Sequence, residues 1–461
     1  MLVAGVDSST QSTKVVLCRA EDGTVVDHGS APHLDGSECS PEVWWNALKE
    51  AGGNLLNRAT AIAIAAQQHG MVTLDTAGKN VRPALLWNDV RSAPQASDLV
   101  QELGGAAHWA RQTGSVPTAS FTVTKLRWLR ENEPSCAEQV ASVLLPHDWL
   151  TWRLGGRRAL TTDRGDASGT GYWSPTEEAW LPTFIRAALG RDVQVPRIAC
   201  PNDAVGETET GAVLAPGTGD NMAAALGLGL QAGDVVVSIG TSGTAFALSE
   251  VPPGDSTGTV AGFADATGRF LPLVCTLNAV RVLTTVTELL GVDSSEFSRF
   301  ALAGQPGCGG ITLLPYFDGE RTPNRPDATG VMRGLTSRLA TRENIARATV
   351  EGLLASLADA IDHLRSVGTV PRRILLIGGG ARSEAVRQLA PTVFDVQVTV
   401  PQPAEYVALG AARQAAWALS GEPNPPEWDP PNATGYEGIP NPEIRSRYAA
   451  LKGDTKLWHA N

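Results

Sequence analysis

Short apolar runs alternate with polar turns through the first half of the chain. LVAGV is followed by the turn DSSTQST, by KVVLC and then by VVDHG, a spacing that predicts a series of antiparallel β-hairpins. PEVWWNALKEAGGNLL has helical periodicity, and AIAIAA is short and apolar enough to be a buried strand. Because strands and helices keep recurring in this way, we expect a mixed α/β layer structure.

The opening pattern returns near the middle of the chain. After Asp234 the sequence reads VVVSIG, a turn TSGT and AFALSE, which is again strand, turn and strand. This recurrence predicts two related α/β domains, at residues 1–231 and 232–420. Within residues 421–461, seven prolines between 421 and 442 predict an extended strap, and EIRSRYAALKG predicts a short final helix.

Composition and charge narrow the class of protein. The chain has 461 residues, and its 37 Lys+Arg against 48 Asp+Glu give a formal net charge of −11, which argues against a nucleic-acid partner. The six scattered cysteines predict neither a disulfide framework nor structural zinc. No basic leader and no long apolar stretch stand out, so we expect no secretory signal, no membrane span and a cytoplasmic location. The 48 glycines indicate many turns and close backbone approaches.

Three polar turns are candidates for binding phosphate. In DSSTQST, Asp7 would face a hydrated divalent cation while backbone N–H groups hold phosphate oxygens. For one hairpin alone a hydrogen-bonded Ser/Thr turn is the plainer interpretation, but the second turn, GTSGT at 240–244, favours a polyphosphate clamp. IGGGARSE at 377–384 would bring backbone close to an anionic ligand. Neither a dinucleotide fingerprint nor a P-loop occurs.

A candidate general base lies in GTGDN, at residues 217–221. Asp220 stands directly before a small-residue helix, where a lone Asp is most often just an N-cap. Here Gly217 and Gly219 would leave room for a ligand, and Asn221 offers a neutral partner for hydroxyl groups. Such a carboxylate can accept the proton of an alcohol whose oxygen attacks phosphorus.

Further polar clusters at predicted element ends are candidates for binding a polyol. His69 could equally be a structural histidine, and Trp87 could be a core residue. The clusters are QQHGM (67–71), WND (87–89) and DGERTPN (318–324).

Taken in order, these motifs resemble the FGGY family of carbohydrate kinases, and within it most closely the D-xylulose kinases. The resemblance covers nearly the whole chain. It implies two actin-like (ribonuclease-H-like) domains with a catalytic cleft between them. It also implies ATP-dependent phosphorylation of D-xylulose with Mg²⁺, and homodimers by analogy. The motifs that carry it include VDSSTQSTK (6–14), AAQQHGM (65–71), GTGDN (217–221), SIGTSGT (238–244), DGERTPN (318–324) and IGGGARSE (377–384).

The resemblance also assigns roles to individual residues. It places the catalytic base at Asp220 and the metal- and phosphate-associated acid at Asp7. The sugar would contact Gln68, His69, Asp220 and Asn221, and by looser analogy Trp87. The nucleotide would contact Thr10, Gly240, Thr241, Gly379, Gly380 and Ala381.

One departure from the family and three other functions stay open at this point. Relatives have a longer segment before Gly217, so either AVLA (212–215) serves as the strand that delivers Asp220 or a loop is missing. The same reaction could act on gluconate, another ketopentose or a polyol. An actin-like ATPase that acts on a protein, and an inactive sugar-binding relative, are the remaining alternatives.

Overall fold

The computed structural model describes residues 1–33 and 36–458. The chain divides into two compact units. Unit 1 comprises Met1–Leu230, Ser249–Leu271 and Ala404–Pro430; unit 2 comprises Gln231–Leu248, Pro272–Pro403 and the described chain from Pro431 onward. Among the described residues, no helix has both the length and the apolar character needed to cross a bilayer.

The strands are numbered in chain order. They are β1 Leu2–Ser8, β2 Ser12–Arg19, β3 Val25–Pro32, β4 Glu38–Cys39, β5 Ala61–Ala66, β6 Val72–Leu74, β7 Ala84–Leu85, β8 Ser142–Leu144, β9 Thr161–Thr162, β10 Trp173–Ser174, β11 Ala179–Trp180, β12 Arg197–Ile198, β13 Gly206–Glu207, β14 Val213–Leu214, β15 Thr218–Gly219, β16 Asp234–Ile239, β17 Gly243–Ala247, β18 Ala261–Ala264, β19 Phe270–Thr276, β20 Thr312–Leu314, β21 Val331–Arg333, β22 Arg373–Ile377, β23 Gln397–Pro401 and β24 Ala433–Tyr436.

The α-helices are numbered in the same way. They are α1 Pro41–Gly52, α2 Leu55–Arg58, α3 Ala93–Glu102, α4 Ala106–Thr113, α5 Thr122–Asn132, α6 Pro134–Gln139, α7 Pro146–Leu154, α8 Arg164–Ala167, α9 Pro182–Leu189, α10 Asp220–Leu228, α11 Val280–Leu290, α12 Ser294–Ala303, α13 Arg342–Ser366, α14 Glu384–Phe394, α15 Tyr406–Ser420 and α16 Pro442–Asp454. Two 3₁₀ turns, Pro306–Gly310 and Gly379–Arg382, complete the helical elements.

The sheet of unit 1 begins with the predicted hairpins. β1 pairs antiparallel with β2, β2 pairs antiparallel with β3, and β5 lies parallel to β1. The strand order is β13–β14–β5–β1–β2–β3. Because two parallel strands cannot be joined by a tight turn, the chain crosses from β3 to β5 through α1 and α2.

Alternation along β1 decides which face each side chain occupies. Val6 packs in the buried cluster that includes α1, whereas Val3 packs in the cluster built on the alanines of α15. Gly5 lies on the same face as Val3, and a Cβ there would stand 1.9 Å from the carbonyl oxygen of Ala408 in α15. Only glycine allows this close approach. Asp7, two residues further along, is therefore also on the α15 face of the sheet.

Unit 2 repeats this topology. β16 pairs antiparallel with β17, β17 pairs antiparallel with β19, and β22 lies parallel to β16. The order β22–β16–β17–β19 thus reproduces β5–β1–β2–β3, with β23 and β24 beyond β22. The recurrence predicted from two short sequence patterns is confirmed as a repeated arrangement of four strands. Within the proline-rich stretch the chain forms only β24, before α16 begins at Pro442.

Two short strands lead along β5 to Asp220. β14 starts opposite Ala61 and β15 starts opposite Ala65, both parallel to β5. The step from Val213 to Thr218 is one residue longer than the step from Ala61 to Ala65, so the chain bulges between β14 and β15. Val213 and Leu214 of AVLA thus form a strand that leads, through β15, to the candidate base, as the first of the two alternatives expected.

Candidate active site

Three neighbouring strands of unit 1 end at the same edge of the sheet. Asp7 on β1 pairs with Ala65 on β5, and Ala65 pairs with Thr218 on β15. All three strands run parallel, so the residues that follow them emerge side by side. This brings together the turn after Asp7, the segment Gln67–His69 and the start of α10.

Asp220 is the first residue of α10, and the N-cap position is occupied by Gly219. Asp220 Oδ1 accepts hydrogen bonds from the backbone N–H and the Nδ2 of Asn221, both at 2.8 Å. Asn221 Nδ2 also donates to Gln68 Oε1 at 3.1 Å. One amide group therefore orients both the candidate base and the glutamine beside it.

The position of Asp220 makes its carboxyl a stronger base than an ordinary aspartate. Burial, and next the negative charge of Asp7, raise its pKa to about 7. The charge of Asp166 acts in the same direction, whereas the hydrogen bonds from Asn221 lower the pKa. A carboxylate whose pKa lies near neutrality is well matched to removing a proton in a reaction at physiological pH.

The sequence interpretation of the two flanking glycines is wrong. A Cβ at Gly219 would stand 2.8 Å from Gln68 Cγ, and one at Gly217 would stand 2.4 Å from the carbonyl oxygen of Ile64 and 2.7 Å from His147 Cδ2. The space beside these glycines is thus filled by protein atoms and not kept open for a ligand. The glycines serve close packing around the segment that carries Asp220.

Asp7 is a buried carboxylate at the end of β1. It accepts a hydrogen bond from Ser9 Oγ at 2.5 Å. Burial raises its pKa to about 6, although the Ser9 hydroxyl and the charge of Lys14 lower it. The described residues contain no cluster of three or more His, Cys, Asp or Glu side chains suited to hold a metal ion. Mg²⁺ is commonly held by one or two carboxylates together with substrate phosphates and water, and a single buried aspartate fits that pattern.

His69 is held in a defined orientation on the same edge. Its backbone has φ 68°, a left-handed conformation that is uncommon for residues other than glycine. Its Nδ1 lies 2.6 Å from the carbonyl oxygen of Gly169, which can only accept, so Nδ1 carries the proton. In the neutral ring this tautomer makes Nε2 a hydrogen-bond acceptor. The ring packs against Phe121, with centroids 4.8 Å apart.

Two buried glutamines have polar atoms that no described residue satisfies. These are Nε2 of Gln68 and both side-chain polar atoms of Gln67, and the two residues are only 4% and 1% exposed. A buried polar atom without a hydrogen-bond partner costs folding free energy unless a ligand or water forms the missing hydrogen bond. A hydroxyl-rich ligand would supply the missing donors and acceptors.

Comparison with known proteins shows the family of the chain. The N-terminal domain of the FGGY family of carbohydrate kinases matches residues 2–236, and the C-terminal domain of that family matches residues 235–419. The chain belongs to the FGGY family of carbohydrate kinases.

Several individual FGGY proteins resemble the chain along most of its length. It is 48% identical to a xylulose kinase of Streptomyces coelicolor and 49% identical to a xylulose kinase of Streptomyces rubiginosus, in each case over 91% of this chain and 89% of the relative. The crystal structure of a xylulose kinase from Bifidobacterium adolescentis superimposes with a TM-score of 0.91 at 45% identity, covering 98% of this chain and 99% of that one.

Unit 2 of this FGGY kinase carries five of the six residues predicted to contact the nucleotide, and the sixth, Thr10, lies in unit 1. Gly240 and the exposed Thr241 form the turn between β16 and β17. The second group follows β22, where Gly378 has φ 87°. A Cβ at Gly379 would meet no atom within 4 Å, while Gly380 and Ala381 are buried. An exposed backbone with open space above it is what a ligand that binds through backbone groups requires.

Thr10 and Trp87, which the sequence interpretation placed in different subsites, are neighbours in unit 1. The indole Nε1–H of Trp87 donates to Thr10 Oγ1 at 2.9 Å. Trp87 is partly exposed and so is not a core residue. The hydrogen bond ties the turn after β1 to the segment after β7.

Two acids from the other polar clusters have local structural partners. Asp89 accepts hydrogen bonds from Ser37 at 2.9 Å and from the Arg91 guanidinium at 2.9 Å. Glu320, in unit 2, is 1% exposed and accepts backbone N–H groups from Leu277 at 2.6 Å and Arg321 at 2.7 Å. The hydrogen bonds of these two carboxylates hold the loops around them in place.

The sequence interpretation missed residues that hydrogen-bond to the segment directly before Asp220. Gln414 of α15 is fully buried and hydrogen-bonds both the N–H and the carbonyl oxygen of Gly217, each at 3.0 Å. Thr218 Oγ1 donates to Asp163 Oδ2 at 2.7 Å. The only signal in the sequence was the polar pair Arg413–Gln414 within a run of small and apolar residues, and nothing connected it with a segment almost 200 residues away.

Proposed function

We propose that this chain transfers the γ-phosphoryl group of ATP to the terminal hydroxyl of D-xylulose, giving D-xylulose 5-phosphate and ADP. The observation that carries the proposal is the Asp220–Asn221–Gln68 arrangement, a general base oriented next to unpaired buried amide groups. The choice of sugar is supported by the named activity of relatives that are 48% and 49% identical.

Asp220 is proposed to accept the proton of the attacking hydroxyl. The O–H bond breaks as the oxygen forms a bond to the γ-phosphorus, and the bond from that phosphorus to the bridging oxygen of ADP breaks. The hydrogen bonds from Asn221 occupy Oδ1 at 2.8 Å, so Oδ2 is the oxygen that would take the proton. In phosphoryl transfer, most of the catalysis comes from positioning the reacting groups and stabilising their charge, and here Asp220 would position the attacking hydroxyl.

Sugar hydroxyls are proposed to satisfy the unpaired side-chain atoms of Gln67 and Gln68 and to contact the oriented ring of His69. Gln68 Nε2 is available to donate, and the tautomer of His69 set by Gly169 makes its Nε2 an acceptor. The rings of Phe121 and Phe263 pack against His69 and hold it in orientation. A site with fixed donors and acceptors selects polyols by the hydroxyls that match them.

Asp7 is the residue proposed to hold Mg²⁺, and the backbone of Gly379 and Gly380 with Gly240 and Thr241 is proposed to contact ATP. When bound, Mg²⁺ neutralises charge on the phosphate oxygens and helps to align them. The burial of Asp7 keeps its carboxylate in one orientation, and the open space over Gly379 admits a ligand without displacing a side chain.

The sugar is tested by measuring ADP release with D-xylulose, D-ribulose, gluconate and glycerol, each with ATP and Mg²⁺. We expect kcat/KM for D-xylulose to exceed that for every other compound by about tenfold or more, the discrimination that a few matched hydroxyl contacts provide. A rate with D-xylulose no higher than with gluconate or glycerol would favour a kinase for another polyol. ATP turnover that needs no sugar would favour an ATPase acting on a protein.

The nucleotide assignment is tested by Gly379→Ala. Because a Cβ at this position meets no protein atom, we expect an unchanged Tm. The new methyl group stands where the ligand would approach the backbone, so KM for ATP should rise about tenfold or more while KM for the sugar stays the same. Gly435→Ala is the matched control, since that glycine also has open space at its Cβ position. An unchanged KM for ATP in Gly379→Ala would remove this residue from the nucleotide site.

A further inference from the structure

A buried group of one histidine and three carboxylates adjoins the strand that leads to Asp220. We call it the histidine–carboxylate cluster; its members are His147, Asp148, Asp163 and Asp166, and none is more than 2% exposed. His147 and Asp148 lie in the first turn of α7, and Asp163 is the N-cap of α8, which contains Asp166. Carboxylates are rarely buried at this density unless a cation compensates them.

Both ring nitrogens of His147 face carboxylate oxygens. Nδ1 forms a 2.7 Å hydrogen bond with Asp166 Oδ2, whereas Nε2 lies 3.1 Å from Asp148 Oδ1, within ion-pair distance but without hydrogen-bond geometry. An ionised carboxylate can only accept hydrogen bonds, and a neutral imidazole has only one N–H to donate. Because Nδ1 uses that one N–H toward Asp166, a neutral Nε2 would hold its lone pair close to the Asp148 oxygen, whereas an imidazolium places positive charge there.

Electrostatics agree with this geometry. Burial acts to lower the pKa of His147, but the charges of Asp148, Asp166 and Asp163 outweigh it and raise the pKa to about 9. Burial also raises the pKa of Asp148 to about 7 and that of Asp166 to about 6, and the charge of His147 lowers both. The positive charge of the imidazolium thus stabilises the ionised carboxylates, and their negative charges stabilise the imidazolium.

The cluster is connected directly to β15. Asp163 Oδ2 accepts hydrogen bonds from Thr218 Oγ1 at 2.7 Å and from the backbone N–H of Gly165 at 2.8 Å. On the same segment, the His147 ring packs against Gly217, where a Cβ would stand 2.7 Å from Cδ2. Thr218 is two residues before Asp220, so a shift of the cluster would move the base.

We propose that His147 is a positioning residue whose imidazolium holds the three carboxylates together and, through Asp163 and Thr218, fixes the strand that presents Asp220. This inference rests on the proposed role of Asp220 as the general base. His147 is not one of the residues proposed to contact the sugar or the nucleotide. It acts only through its neighbours.

The pH dependence expected from this role has a definite sign. The charged groups that face the ring are Asp148 on α7 and Asp163 and Asp166 at α8. The buried Tyr172 phenol interacts with the charges of Asp148 and Asp166. Because the folded-state pKa of His147 is raised, its stabilising contribution is complete below the unfolded value of about 6.5 and is lost as pH rises through about 9. Turnover should therefore fall on the alkaline side as the imidazolium loses its proton.

His147→Gln and His147→Lys separate charge from shape. Gln keeps a polar side chain but removes the cation, so we expect kcat to fall by about 10²-fold, the loss that a small misplacement of a catalytic group causes, with KM for ATP unchanged. Lys restores a cation that keeps its proton to higher pH, so kcat should return to near the wild-type value and the alkaline loss of turnover should move upward by about one pH unit or more.

The protonation state of His147 is measured independently of activity by NMR of the full chain labelled with ¹⁵N-histidine. His147→Gln identifies its signal, and at pH 7.5 this signal should have the chemical shifts of an imidazolium. A neutral-imidazole signal at that pH would overturn the proposal. Since this reading does not depend on turnover, it separates a failure of the cluster from a failure of Asp220 as the base.

A buried ion pair in unit 2 provides the matched control. Arg347 Nε lies 2.7 Å from Glu351 Oε1, and both side chains are buried. Arg347→Gln should lower Tm, as removing any buried cation does, without changing the pH profile of kcat. If His147→Gln likewise lowers Tm but keeps the wild-type kcat and pH profile, the cluster only stabilises the fold and the positioning role is wrong.

Discussion

Replacing Asp220 with Asn should lower kcat for sugar phosphorylation by roughly 10³-fold, within the range that a general base contributes. The amide keeps the shape of the side chain and its contact with Asn221 but cannot accept a proton at neutral pH. Because burial and the charge of Asp7 disfavour the ionised Asp220, removing its charge should leave Tm unchanged or raise it. Nucleotide binding, measured by titration calorimetry, should persist.

Asp192→Asn is the control for this substitution. Asp192 is an exposed carboxylate in unit 1 that pairs with Arg186 on the surface, so its removal changes the net charge by the same amount. We expect wild-type turnover from it. If Asp220→Asn also kept near-wild-type turnover while folding normally, Asp220 would not be the base.

Replacing Asp7 with Asn should have the second largest effect, and it should act in two ways at once. Loss of the carboxylate proposed to hold Mg²⁺ should lower the maximal rate by about 10²-fold and raise the Mg²⁺ concentration needed for half-maximal rate. At the same time the charge that raises the pKa of Asp220 disappears. The pKa of Asp220 should therefore fall below its wild-type value of about 7.

The second effect has a clear sign in the pH profile. A base must be ionised to accept a proton, so kcat/KM of the wild type should decline as pH falls through about 7. In Asp7→Asn this decline should occur at lower pH.

Ser9→Ala is the matched variant, because it removes the 2.5 Å hydrogen bond to Asp7 but keeps the carboxylate and its charge. An acidic limb that does not move in Asp7→Asn would contradict the coupling of the two aspartates, and an unchanged Mg²⁺ requirement would contradict the metal assignment.

Local sequence patterns were sufficient where the structure depends on neighbours in the chain. The hairpin β1–β2, the buried strand β5 and the second hairpin β16–β17 all follow from alternating apolar runs and polar turns, and the structure contains each of them. Asp7 and Asp220 stood out because of their neighbours, a hydroxyl-rich turn that recurs in the second half of the chain and a Gly-Asp-Asn segment before a helix. The resemblance to the FGGY family added their proposed roles.

Local patterns failed where a contact joins distant segments. The roles of Gly217 and Gly219 were misread because the atoms that fill the space beside them belong to Ile64, His147 and Gln68. The hydrogen bond between Trp87 and Thr10 was not expected, since one was assigned to the sugar and the other to the nucleotide.

The sequence by itself determined the first hairpin, its recurrence in the middle of the chain, the buried strand β5 and the membership of a kinase family, because these depend on periodicity and on ordered local motifs. Only the tertiary structure decided that AVLA and β15 run along β5 to Asp220, and that a histidine and three carboxylates lie buried beside that segment. The physical reason is that charge compensation and close packing depend on distances in space. Residues 147, 163 and 218 lie far apart in sequence, and only the folded sheet brings them into contact.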